Sequence, residues 1–294
     1  MIFEDVRKNK RASSFIVTIF VLVIMIGVYS ICMYYDLGIV SIAIAIVFAT
    51  IPTLISYYNC DKMVLALNGA RPATAEQDQQ LTTILDNLCI ASGLPRPKLY
   101  VIEDTAPNAF ATGRDPEHAV ICFTTGLLEK LDKYELEGVM AHELSHVKNY
   151  DIRLSTFISV FVGFVVILSD FMIRTSFRRS GNSESKGGGV VAIIAIIFMI
   201  LSPIFAMIMQ LAISRKREYL ADGSAIEMTR NPNGLISALK KISEDTEPLE
   251  AANKSTAHMY IVNPFQDKRK NIKDSLMSTH PALLNRIAAL EAIK

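Results

Sequence analysis

The stretch His142-Glu143-Leu144-Ser145-His146 has the residue types and spacing for chemistry. On an α-helix, residues four apart share a face, so the two imidazoles can meet one metal ion with the Glu143 carboxylate beside them. That arrangement suits hydrolysis. Zinc lowers the pKa of its water from about 16 to about 7, and a neighbouring carboxylate takes the proton as water attacks a polarised carbonyl. His142 and His146 are therefore expected as ligands and Glu143 as general base. A catalytic zinc takes three protein ligands and keeps one position open, so a third must come from elsewhere. Glu218, in the stretch Ser214 to Asp222, is the candidate. Asp222, one turn further on, is placed to accept a hydrogen bond from a ligating imidazole and fix its tautomer. Two histidines and a glutamate around one zinc per chain, with a free carboxylate alongside, is the thermolysin-like (gluzincin) arrangement, and peptide hydrolysis is the reaction expected from it.

The elements that must position these residues alternate between membrane and soluble character. Of the 294 residues, 51% are hydrophobic, none is Trp and the mean hydropathy is +0.31, which is too apolar for an ordinary soluble domain of this size. The formal net charge of +1 gives no reason to expect nucleic acid as a partner. Arg7, Lys8, Lys10 and Arg11 precede an uncharged run from Ser14 to Tyr35, and a second run, Leu37 to Tyr58, follows after Asp36. So short a connection makes residues 1–58 an antiparallel membrane hairpin, with spans at about 14–35 and 37–58 and a kink at Pro52. Two further runs, Leu154 to Ile173 and Val190 to Ile213, make residues 154–213 a second hairpin. The linker between them contains Gly187-Gly188-Gly189 but lacks the Lys-Ser/Thr of a phosphate loop.

Residues 59–153 and 214–294 form the two parts of one zinc peptidase domain. Thr74 and Gln77 make a capping-box pattern ahead of Leu81, Ile84, Leu85 and Leu88, and Gly93 and Pro95 stop that helix. Lys98 to Ile102, Ala109 to Gly113 and Ala119 to Thr124 read as three strands of a small sheet. Asp132 and Glu135 start the helix that carries the motif, whose stripe of Leu136, Met140, Leu144 and Val147 faces a core while the histidines face a cleft. The third apolar run begins eight residues after His146 and the fourth ends five before Glu218. A spanning hairpin returns the chain to its starting side, so the membrane segment itself would bring Glu218 to the histidines. The predicted fold is thus an α+β membrane protein, mostly helical, with about four transmembrane helices in two hairpins. The four cysteines, Cys32, Cys60, Cys89 and Cys122, contain no C-x-x-C pair and are expected to be buried reduced thiols.

With these motifs in order, the chain resembles the HtpX-type membrane zinc metallopeptidases, relatives of the CAAX prenyl endopeptidases. The resemblance rests on the N-terminal hairpin, Pro107 to Gly113, the zinc motif with Asp151 behind it, the second hairpin, Glu218 through Asp222, and Thr279-His280-Pro281 with Arg286. It implies that Asn108, Ala109, Phe110 and Ala111 form an edge strand that binds substrate backbone by strand addition, a role open to an exposed strand. It also implies that His280 stands near the cleft and helps stabilise the developing oxyanion, or else is a structural residue at a helix start. Protein or peptide substrates, themselves membrane proteins, a bacterial or archaeal inner-membrane location and a part in protein quality control follow from the resemblance alone. Arg286 is expected to tie the last helix to the domain by an ion pair. His118 and His258 match no motif and are expected at the surface.

The basic residues before the first span put the zinc domain in the cytoplasm. Arg174, Arg178, Arg179 and Lys186 in the second hairpin argue the other way, and a hairpin that does not fully cross is the alternative. A non-enzymatic membrane scaffold or transporter with a metal site is the competing class, but structural zinc usually closes with four protein ligands and no fourth is evident. An intramembrane protease is disfavoured by Glu135, Glu137, Lys148, Asp151 and Arg153 around the motif.

Overall fold

The computed structural model describes residues 2–34, 37–161, 215–253, 255–265 and 281–293. Helices α1 (Ile2–Tyr34) and α2 (Val40–Tyr58) run against each other, joined by the turn at Gly38, and Pro52 lies inside α2. The first helix is longer than the apolar run alone: the basic stretch before Ser14 continues it unbroken. Among the described residues these two helices are long and apolar enough to cross a membrane. They carry Phe15, Leu22, Ile26, Val40, Ile46, Phe48, Ile51 and Ile55 exposed. Beyond residue 161, the second pair of expected spans lies outside the described residues, as does His280.

A short helix α3 (Cys60–Leu67) leads into the domain and into β1 (Arg71–Pro72). Helix α4 (Ala75–Ser92) begins with the expected capping box of Thr74 and Gln77 and ends at Gly93, whose φ of 70° is open to glycine without strain. Strands β2 (Lys98–Ile102), β3 (Ala109–Thr112) and β4 (Val120–Thr124) complete a mixed sheet of order β1-β2-β4-β3. β2 and β4 pair in parallel, Leu99 opposite Ile121, and β3 pairs antiparallel to β4, Ala109 opposite Phe123. Helix α5 (Thr125–Lys130) precedes the motif helix α6 (Lys133–Lys148). Residues 151–161 are helical again (α7), followed after the undescribed stretch by α8 (Arg215–Thr229), α9 (Pro232–Glu244) and α10 (Leu283–Glu291).

The period-two alternation of a strand gives the sheet two apolar faces. Ile121 and Phe123 of β4, with Ala109 and Ala111 of β3, join the core built on Leu136, Met140, Leu144 and Leu239. Val120, Cys122 and Phe110 turn the other way and meet Leu154, Phe157 and Phe161 of α7, with Phe20 of α1 and Tyr57 of α2 packed alongside. The sheet therefore has the core of the motif helix on one face and α7, with Phe20 of α1 and Tyr57 of α2, on the other. Cys60, Cys89 and Cys122 are buried free thiols, as expected.

The motif helix departs from the simple two-faced expectation, because Gly138 through Ser145 are all buried, the histidine side included. On that side α8 and α9 cover it. The approach to α9 is so close that a Cβ on Gly138 would stand 2.6 Å from the backbone N of Leu235.

Candidate metal centre

Both ends of the motif helix are locally secured. At its start, the Asp132 carboxylate accepts from the N–H groups of Tyr134 and Glu135, and Glu135 accepts in return from Asp132 N at 2.8 Å. The Glu135 carboxylate also receives Ser237 Oγ at 2.6 Å and Lys241 Nζ at 2.7 Å, which tie α6 to α9. Burial alone would raise its pKa, but these hydrogen bonds outweigh burial and hold it below the usual value. At the other end Tyr150 takes a left-handed φ of 59°, and the chain turns there into α7.

Across this frame His142 Nε2 and His146 Nε2 lie 3.3 Å apart, and the Glu218 carboxylate reaches them at 3.7 and 3.6 Å. The three ligand atoms fit within 4.8 Å of one another. Two nitrogens each about 2.0–2.1 Å from a tetrahedral ion would stand roughly 3.3–3.4 Å apart. Carboxylates fix the other side of each ring: His142 Nδ1 is 3.0 Å from Asp222 Oδ1 and His146 Nδ1 is 3.1 Å from Asp151 Oδ2. A carboxylate accepts, so each Nδ1 carries a proton and Nε2 is the atom that each ring turns inward. Two inward nitrogens at this distance are held together by a shared proton or by a cation between them.

The surrounding charge points the same way. Glu143, Asp151, Glu218 and Asp222 are all buried, and Arg217 and Arg286 are the guanidinium groups beside them. Burial would lower the pKa of His146, yet Asp151, then Glu218 and Glu143, lift it to about 9, the mark of a field that draws positive charge. His142, fully buried, is pushed down instead, by burial and then by Arg286, against the pull of Asp222.

Arg286 is wholly buried. It grips Asp222 with two hydrogen bonds, 2.9 and 2.6 Å long, donates to Ile261 O and stands 3.5 Å from Glu218. The ion pair expected from the sequence is present, and it belongs to the centre itself. Burial alone would raise the Asp222 carboxyl, but Arg286 and His142 take it down to about 2.

Glu143 is buried, and burial, reinforced by Glu218 against the pull of His146, lifts its carboxyl to about 7. The backbone N–H of Ala111 is directed at that carboxylate. Among the described residues its Oε2 has no hydrogen-bond partner. A cavity of about 30 Å³ opens there, lined by Glu143, His146, Glu218, Ala111 and His258 among others, room for an ion or a water.

Two expectations need correction. His258 is buried, not at the surface: it lines this cavity, with Nε2 3.2 Å from Ser155 O. Its neighbours Ala257, Met259, Tyr260, Ile261 and Val262 form an apolar run, the signal by which burial could have been read. His118 is at the surface, hydrogen-bonded to Asp115. The edge strand is at the sheet edge but is not exposed. Asn108, Ala109, Phe110 and Ala111 are buried, because residues 261–262 lie along them. Ile261 N donates to Ala109 O at 2.9 Å, and the Asn108 side chain donates to Val262 O and accepts from Val262 N.

Comparison with known proteins shows the family of the chain. The profile of peptidase family M48 matches residues 75–294. The chain is 42% identical over 288 residues to a protease HtpX homolog of Dictyoglomus thermophilum, covering 98% of this chain and 93% of that one. It is 41% identical over 304 residues to a protease HtpX homolog of Listeria monocytogenes, covering 99% of each. A crystal structure of S. mikatae Ste24p has a similar fold, with a TM-score of 0.53 at 19% identity, covering 97% of this chain and 66% of that longer one.

Proposed function

Because the chain belongs to peptidase family M48, we propose that it is a membrane-embedded zinc endopeptidase in which His142, His146 and Glu218 hold the ion and Glu143 is the general base. The observation that carries this reading is the pair of imidazoles whose Nδ1 atoms are committed to Asp222 and Asp151, leaving two Nε2 atoms 3.3 Å apart. When bound there, zinc would supply a Lewis acid for the scissile carbonyl and an acidified water. Glu143, with a carboxyl that titrates near neutrality, takes a proton from water and passes it to the leaving amine. Asp222 and Asp151 keep the ligating rings oriented, and Arg286 holds Asp222 ionised. His280 is assigned to the developing oxyanion on resemblance alone.

Substrate would align along Asn108, Ala109, Phe110 and Ala111 by strand addition. For that, residues 261–262 must yield, since they occupy the Asn108 side chain and the Ala109 carbonyl. The exposed apolar surface of α1 and α2 supports a bilayer around them. A thermolysin-like domain on four spans in two hairpins, with the zinc domain cytoplasmic, completes the reading. Its substrates would be misfolded or membrane-associated proteins, and its role their quality control.

The test is metal content and cleavage of an unfolded protein such as casein by the full chain in detergent. The intact protein is expected to hold one zinc and cleave, Glu143→Gln to hold zinc but lose roughly 10²–10⁴ in rate, and Glu218→Ala to lose both zinc and activity. Cleavage by Glu143→Gln at the intact rate removes the base assignment; full zinc affinity in Glu218→Ala removes the third ligand.

A further inference from the structure

Asn9 belongs to the first apolar helix, yet it is buried and its side chain points at the metal centre. Its Nδ2 donates to Asp151 Oδ1 at 2.7 Å and to Asn149 O at 2.8 Å. Asp151 presents its other oxygen, Oδ2, to His146 Nδ1 at 3.1 Å. One amide thus reaches the imidazole through one carboxylate. Asn149 is the last residue of the motif-helix cap, and its carbonyl is one of those a helix end leaves without an internal partner. Beside it, the Lys10 ammonium stands 4.0 Å over the Tyr150 ring. Two successive residues of α1 therefore clamp the Asn149–Asp151 turn, where Tyr150 takes its left-handed conformation.

A buried carboxylate must have its lone pairs satisfied in a fixed geometry if it is to fix anything else. Arg217 Nε, at 3.5 Å from Asp151 Oδ1, is more distant than the Asn9 amide. Without Asn9, Asp151 would be free to rotate toward Arg217 and release the His146 ring. We propose that Asn9 is a positioning residue for the metal centre: through Asp151 it sets the orientation of His146, so that metal affinity depends on the docking of the first membrane helix. This rests on the reading of His146 as a metal ligand.

The measurement is zinc affinity of the full chain in detergent, by competition with a chelator, for the intact protein and Asn9→Ala, Asp151→Asn and the double variant. Loss of outer partners of metal-bound histidines weakens binding roughly 10–100-fold, and Asn9→Ala, one bond further out, is expected near the lower end. If Asn9 works through Asp151, the double variant binds no more weakly than Asp151→Asn, within about a factor of two. A packing control is Phe20→Ala, which removes the ring stacked on Phe161 at 3.9 Å and loosens the same helix without touching the relay. It is expected to lower the thermal midpoint and leave zinc affinity as in the intact protein. Unchanged affinity in Asn9→Ala, an additive loss in the double variant, or an equal loss in Phe20→Ala each overturns the proposal while leaving the metal site standing. No zinc bound by the intact protein would overturn both.

Discussion

Arg286 shows how much of this centre depends on a single side chain. It is fully buried, far in sequence from the zinc motif, and meets Asp222, Glu218 and His142 at once. Removing one partner of a buried pair leaves the other charge stranded, at a cost of roughly 3–5 kcal/mol. Arg286→Ala is therefore expected to lower the thermal midpoint sharply and to weaken zinc binding, whereas replacing both Arg286 and Asp222 by apolar residues recovers part of the midpoint but not the affinity. Thermal melts with and without zinc check both. The pairing of His142 with His146 was legible because it is local, five residues on one helix. Glu218 was legible through its place just after an apolar run. The place of His258 in the cavity was not, because its contact there is with α7, more than ninety residues away, although its apolar neighbours mark it as buried.

The elements were legible where their determinants are local. Both capping boxes lie in four-residue windows, and the three longer strands show their apolar pattern without help. Strand β1, only two residues with a proline, and the short helices α3 and α5 escaped, since they are too short to show a repeating apolar pattern. The covering of β3 by residues 261–262 is likewise a pairing across about 150 residues, invisible to any window. Glu135 offers a test at this scale, because it caps α6 and binds α9 with one carboxylate. Its pKa in the folded chain is depressed below the reference of 4.5. Such a group contributes stability that is present above the unfolded pKa and is lost as pH falls through the folded one. The thermal midpoint of Glu135→Gln should lie below that of the intact protein by a constant amount near neutrality, and the gap should close as pH falls below the unfolded carboxyl's range and through the depressed folded one. A gap that persists unchanged into acid would mean that the carboxylate charge contributes nothing.

At the scale of the whole molecule, composition announced the membrane and the two apolar helices bear the corresponding surface, but sequence charge alone left the orientation in conflict. Reporter fusions decide it: a cytoplasmic signal at Ala252 and an external one at Asn182 are expected, and a cytoplasmic signal at Asn182 would remove the four-span arrangement. The unbroken run of α1 through its basic stretch has a further consequence. Asn9, hydrogen-bonded to the residue beside His146, and Ser14, where the uncharged run begins, are on the same rigid rod. Five helical residues span about 7.5 Å. In the proposed membrane setting the helix then acts as a ruler, fixing the height of the scissile bond above the lipid. An extended chain covers that height in two or three residues at about 3.3 Å each. A single-span substrate with a graded spacer between its span and a cleavable segment should therefore be cut at an offset of a few residues from the bilayer, and lengthening the spacer should leave the cut at that offset from the lipid instead of moving it with the sequence. Mass spectrometry of the products reads the offset directly.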